Sequence, residues 1–175
     1  EALEAKISAR KLERFSEVYK HIDENFQSTF TELTGGGKAW LELEKPETVF
    51  DGGVSIKARM PRKRLFPVEA LSGGEKSLVS MAFIFAIQRY DPSPFYLLDE
   101  PDQNLDGVNT EHIGRAIALQ SAVAQFLVVS LHHAALREAA HVIGVFMADD
   151  GVSHLHQIHD VDRFIASLPT EEVAA

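Results

Sequence analysis

Cysteine is missing from all 175 residues, which excludes a disulfide framework and a thiolate metal site. A reducing, cytoplasmic setting is expected on that account. No apolar run approaches the roughly 20 residues that cross a bilayer, and no leader pattern opens the chain, so no membrane partner is expected. Positive charge is in deficit, with 17 Lys and Arg against 26 Asp and Glu and a net charge of −9. A surface coated throughout for nucleic acid is thereby excluded, and any DNA contact must be local or come through a partner. Also missing is a Gly-x-x-x-x-Gly-Lys-Ser/Thr loop, the usual cradle for nucleotide phosphates. Gly35-Gly36-Gly37-Lys38 resembles one only superficially, because it lacks the four-residue spacer and the Ser/Thr that holds Mg²⁺. The chain begins at Glu1, inside a helical pattern, and is expected to be a piece of something longer.

What is present suits one packed domain, since 45% of the residues are hydrophobic. Leu3, Ile7, Phe15, Val18, Ile22, Phe26 and Phe30 recur mostly at helical spacing, predicting a helix over residues 1–33. The spacing slips between Ile7 and Phe15. The residues alone therefore fit either an ordinary amphipathic helix or the end of a coiled coil. Gly35-Gly36-Gly37 breaks the helix. Residues 40–44 and 54–58 alternate like a small antiparallel unit, and 60–66 form a proline-bounded loop carrying Arg62, Lys63 and Arg64. Helix and strand then alternate: helices at 77–89, 110–119 and 134–140, and apolar strands at 95–98, 126–129 and 142–147. Asp149-Asp150-Gly151 turns a hairpin into 152–156, and 160–168 reads as a last short helix. Continuous apolar strands between helices predict an α/β fold with a mostly parallel sheet covered on both faces.

Two motifs carry candidate chemistry. The first is Leu71-Ser72-Gly73-Gly74-Glu75-Lys76, where glycines let backbone approach a ligand and the following helix offers unpaired N–H groups to a phosphate. Ser72 adds a hydroxyl, although the same residues also make an ordinary helix cap. The second is Phe95-Tyr96-Leu97-Leu98-Asp99-Glu100, an apolar strand ending in two carboxylates. Such a pair is costly to bury unless compensated, and Mg²⁺ is the natural compensator. Asp99 would hold Mg²⁺ through its water shell and Glu100 would act as general base toward water. Asn104-Leu105-Asp106 follows, with Asp106 placed either to cap the next helix or to face a second subunit.

In order and spacing these segments resemble the signature motif, Walker B strand and D-loop of ATP-binding-cassette ATPases. The runs 33–39, 70–76, 82–88 and 142–145 are similar to the carboxy-terminal head segment of structural maintenance of chromosomes (SMC) proteins. The resemblance implies the carboxy-terminal lobe of an ATPase head at 34–168, a neck or coiled-coil end at 1–33, and a tail at 169–175. It implies that the phosphate cradle lies in an amino-terminal segment of the same protein, and that two heads sandwich ATP and Mg²⁺. Asp99 and Glu100 would then serve the head's own ATP. Ser72, Gly73, Gly74, Glu75 and Lys76 would meet the γ-phosphate of ATP on the opposite head. A kleisin subunit, docked through its winged helix on a cap that includes 152–168, and DNA are the implied further partners, in a cytoplasmic, chromosome-associated setting. The chain alone would be inactive.

The sequence departs from this pattern in places. Pro101 after the glutamate resembles SMC-like repair ATPases, which makes double-strand-break repair the alternative function; a non-enzymatic kleisin-docking module is another. The switch region reads Ser130-Leu131-His132-His133, with Leu131 where such families carry their histidine, so His132 is the displaced switch candidate. Arg62, Lys63 and Arg64 are the DNA candidates. His154, His156 and His159 invite a zinc reading and are read instead as surface histidines.

Overall fold

The computed structural model describes residues 2–159 and 161–167. The chain opens with α1, Ala2–Thr34, a helix roughly 50 Å long at 1.5 Å per residue. Its two halves differ. Phe26, Thr29, Phe30 and Leu33 are buried near the carboxy-terminal end, whereas Leu3, Ile7 and Leu12 are exposed. Gly35 and Gly36 then take positive φ, 64° and 117°, and the Gly36 N–H reaches back to the Thr31 carbonyl at 3.0 Å, which ends the helix.

Strand β1 (Lys38–Leu43) pairs antiparallel with β2 (Val54–Arg59), and β2 with the two-residue β3 (Phe66–Pro67). This unit is fastened to α1. The Tyr19 hydroxyl donates to the Leu41 carbonyl at 2.7 Å, and the Leu41 N–H donates to Asp23 Oδ1 at 2.6 Å. A single 3-10 turn, Val68–Ala70, leads into α2, Gly73–Tyr90. α2 buries Leu78, Val79, Met81, Ala82, Phe85 and Ala86, packing chiefly against α1. Phe83 meets Phe26 edge to face, and Arg89 pairs with Glu32 at 2.9 Å.

β4 (Phe95–Asp99), α3 (Gly107–Gln120) and β5 (Gln125–Val129) form a strand–helix–strand crossover, with β4 and β5 parallel from Phe95↔Gln125 to Asp99↔Val129. A one-turn α4 (His133–Leu136) follows, then the antiparallel hairpin β6 (Val142–Met147) and β7 (Ser153–Ile158), and α5 (Val161–Ser167).

The predicted mostly parallel sheet is therefore corrected. Among the described residues the strands form three separate sheets, and only β4–β5 is parallel. β6 hydrogen-bonds to β7 rather than to β5. Nor are the faces covered: Leu97 is 71% exposed, Met147 73% and Leu155 74%. The predicted helix 134–140 stops after one turn. Its N-cap position, His132, makes no side-chain cap bond, and short helices nucleate at a loss without one. The predicted tail 169–175 and the ends of the last predicted helix, Asp160 and Leu168, lie outside the described residues.

Candidate functional site

The mouth of α2 is built from the Ser72–Glu75 pair. Ser72 is extended, with φ −64° and ψ 164°, and its Oγ accepts from the Glu75 N–H at 3.4 Å. Glu75 Oε2 in return accepts from the Ser72 N–H at 3.0 Å and the Ser72 hydroxyl at 3.1 Å. This reciprocal cap satisfies donors that a helix start leaves open. Glu75 Oε1 accepts from Lys63 Nζ at 2.9 Å. The Lys63 contact first, and the Ser72 bonds after it, hold the Glu75 carboxyl below its ordinary value. Lys63, expected as a DNA contact, is thus engaged with the cap. Arg62, in the left-handed region at φ 61°, and Arg64 flank it on the surface. Lys76 is exposed.

The two glycines do different work. A Cβ built on Gly73 meets nothing within 4 Å, so this is the face open to a ligand. A Cβ on Gly74 would stand 2.5 Å from the Asn104 carbonyl oxygen. Gly74 is small because the Asn104 backbone lies against it. Neither residue has positive φ, so space, not backbone conformation, separates them. Gly74→Ala is expected to destabilise the fold by about 1–3 kcal/mol through overpacking. Gly73→Ala should hold or raise stability by up to about 1 kcal/mol. Urea melts of the two variants check this; equal midpoints would remove the Gly74–Asn104 contact from the account.

At the other motif, β4 delivers Asp99 and Glu100 to the surface, both exposed. Glu100 leaves the strand at φ 45°, and its N–H donates to the Val129 carbonyl at 2.9 Å. A non-glycine residue in this region carries strain and is a mark of functional turns. The buried carboxylate is not Asp99 but Asp102, 2% exposed, which accepts a hydrogen bond from Ser130 Oγ at 2.5 Å. Leu105 is buried in the core, and its N–H donates to the Asp102 carbonyl at 3.0 Å. Asp106 caps α3, accepting from the Asn109 N–H at 2.9 Å, so of its two readings the cap is the one seen within the chain.

Ser130-Leu131-His132, the switch candidate, follows the end of β5 at Val129. Ser130 Oγ accepts from the His132 N–H at 3.0 Å. His132 is half-buried, while Leu131 is 82% exposed. Asp102 and Ser130 were missed in the sequence, although a third acidic residue directly after Glu100-Pro101 was a visible signal. Among the described residues no group of three or more His, Cys, Asp or Glu is placed to hold a metal ion; His154 stacks on Phe146 and pairs with Asp150.

The family described as RecF/RecN/SMC N terminal domain matches residues 54–154. The chain belongs to the SMC family. It is 42% identical over 147 residues to the chromosome partition protein Smc of Pyrococcus furiosus, and 43% over 145 residues to that of Gloeobacter violaceus. Those matches cover 84% and 83% of this chain but 12% of each relative, so this SMC chain spans about an eighth of their length. The fold matches the Smc head. A P. furiosus Smc head domain with an extended coiled coil, bound to the C-terminal domain of ScpA, superposes with TM-score 0.85 at 38% identity, over 93% of this chain and 40% of that one. A chain solved in work on ATP-driven dimerization and DNA-stimulated activation of SMC ATPases gives TM-score 0.80 at 38% identity, over 88% and 92% of the two chains. No helix among the described residues is long and apolar enough to cross a membrane.

Proposed function

We propose that this SMC chain is the carboxy-terminal half of an ATPase head, completed by an amino-terminal segment that brings the phosphate cradle, and that it drives chromosome segregation through ATP-dependent head pairing. The observation that carries the reading is the set of uncovered apolar strands. Leu97, Leu127 and Val129 on the β4–β5 pair that ends in Asp99, and Val145, Phe146 and Met147 on β6 of the separate β6–β7 hairpin, are exposed. An apolar surface of this kind favours a second lobe over water. On this reading residues 1–33 are the neck and 34–168 the lobe.

The residues present fit a nucleotide and Mg²⁺. The mouth of the 18-residue α2, open over Gly73, presents a helix N-terminus to an anion, beside the Ser72 hydroxyl that would turn from Glu75 Oε2 to meet it. The exposed Asp99–Glu100 pair offers oxygens of the kind Mg²⁺ prefers. When bound, ATP and Mg²⁺ supply the scissile phosphate and neutralise its charge. Asp99 would hold the metal through its water shell. Glu100 orients the attacking water and takes its proton. Ser72, Gly73, Gly74, Glu75 and Lys76 close over the γ-phosphate of the opposite head, with Asn104, Leu105 and Asp106 at the seam. A kleisin winged helix would dock on a cap that includes the antiparallel strands and residues 152–168; the C-terminal domain of ScpA is bound to the P. furiosus Smc head above, and a C-winged helix domain of ScpA to another solved Smc head. DNA is the polyanion for Arg62 and Arg64.

The test is reconstitution. The chain alone is expected to hydrolyse no measurable ATP. Adding the separately expressed amino-terminal segment should restore nucleotide binding and turnover. Strong ATPase activity from the chain alone would overturn the two-segment reading.

A further inference from the structure

Asp102 is a buried carboxylate to which the chemistry above gives no part. It stands at a junction of three functional segments. Its backbone carbonyl accepts from Leu105 N–H at 3.0 Å in the D-loop. Its side chain accepts from Ser130 Oγ at 2.5 Å, and that same oxygen accepts from the His132 N–H at 3.0 Å. Two residues upstream, Glu100 is tied to the preceding switch-side residue by its own N–H on Val129 O, 2.9 Å. Burying a carboxylate is costly unless it is hydrogen-bonded, and a hydroxyl donating to a carboxylate makes one of the stronger neutral-to-charged bonds. The Ser130 hydroxyl has its proton on Asp102 and receives the His132 amide, so the path of the backbone from β5 into α4 is held from the Walker B turn.

We infer that Asp102 is a positioning residue of the ATPase: through Ser130 it locks the switch loop bearing His132 to the turn bearing Glu100 and to the D-loop. This rests on the ATPase reading above and adds to it a link between the group that acts on water and the segment that faces the neighbouring head. The same link accounts for the departure at Leu131. With Ser130 and His132 tied together, the intervening residue bulges outward, which matches its exposure, and the loop is anchored through His132 instead.

The test uses the full parent protein. Ser130→Ala and Asp102→Ala should each lower kcat about 10- to 100-fold, the effect of a small misplacement near the reacting atoms. KM for ATP should change less than about threefold, since neither side chain belongs to the phosphate contacts. The double variant should be no slower than the slower single one, because both break one link. Ser130→Thr, which keeps the hydroxyl, should restore most of the parent kcat. Ser130→Ala removes one oxygen from a half-buried position, so it carries the test even where Asp102→Ala unfolds. Glu100→Gln runs alongside. If it is slow while Ser130→Ala keeps the parent kcat, or if the two losses multiply, the inference falls and the ATPase reading stands. If Glu100→Gln also turns over at the parent rate, the ATPase reading fails and the inference with it.

Discussion

Glu100→Gln should slow ATP hydrolysis by the reassembled head about 10²- to 10⁴-fold, the range that a positioned general base supplies. ATP binding and ATP-dependent pairing of heads should persist. The geometry explains why the effects separate. Glu100 is exposed, and it touches the rest of the chain through its backbone, by the N–H on Val129 O at 2.9 Å. Glutamine has the same length and keeps that bond. What it loses is the lone pair able to take a proton from water. The turn is also set independently of the side chain, because φ at 45° is imposed by β4 ending against β5 and by the Gln103 N–H on the Glu100 carbonyl at 3.2 Å. Single-turnover hydrolysis, with pairing followed by light scattering, reads both quantities. Parent-rate hydrolysis in the variant would remove Glu100 as the base. Lost pairing would mean that its charge contributes to assembly as well.

The local grammar of this chain was readable because it depends on neighbours in sequence. Ser72 was legible as a helix cap, and α2 does start just after it, at Gly73, four residues ahead of the expected 77. The β6 run was expected at 142–147 and lies there. Partners distant in sequence were not readable. That Asp102 is the buried carboxylate depends on Ser130, 28 residues away. That Gly74 must be small depends on the carbonyl of Asn104 folding back over it. An apolar strand looks the same whether its neighbour runs parallel or antiparallel, which is why β6 was also expected in the parallel sheet, whereas only its expected hairpin with β7 is seen. The expectation that both sheet faces are covered failed for a further reason. Apolar patterning reports burial in the assembly for which the sequence is suited, whereas Leu97 and Val129 have only their own chain to pack against. For the same reason Leu3 and Ile7 keep helical spacing on a face of α1 that none of the described residues covers.

Ser72→Arg should abolish ATP-dependent pairing of reassembled heads while each head stays folded and binds nucleotide. Two changes occur at one position. The first is the cap: Ser72 Oγ accepts from Glu75 N–H and donates to Glu75 Oε2, and losing a serine cap costs about 0.5–2 kcal/mol. α2 buries Leu78, Val79, Met81, Ala82, Phe85 and Ala86, so a loss of that size lowers the melting temperature without unfolding the domain. The second change is bulk. Gly73 opens onto free space beside Ser72, and a long side chain at the helix mouth fills the gap through which the phosphate of the opposite head would reach the α2 N–H groups. Ser72→Ala separates the two effects, since it removes the cap and adds no bulk. It should show the same fall in melting temperature but only weakened pairing, by about tenfold for one lost hydrogen bond to a charged group. Sedimentation of the Glu100→Gln head carrying each change, with and without ATP, gives the comparison. Pairing that survives Ser72→Arg unchanged would take Ser72 out of the interface. Equal loss in both variants would assign the effect to the cap and the order it gives α2, not to the phosphate seat.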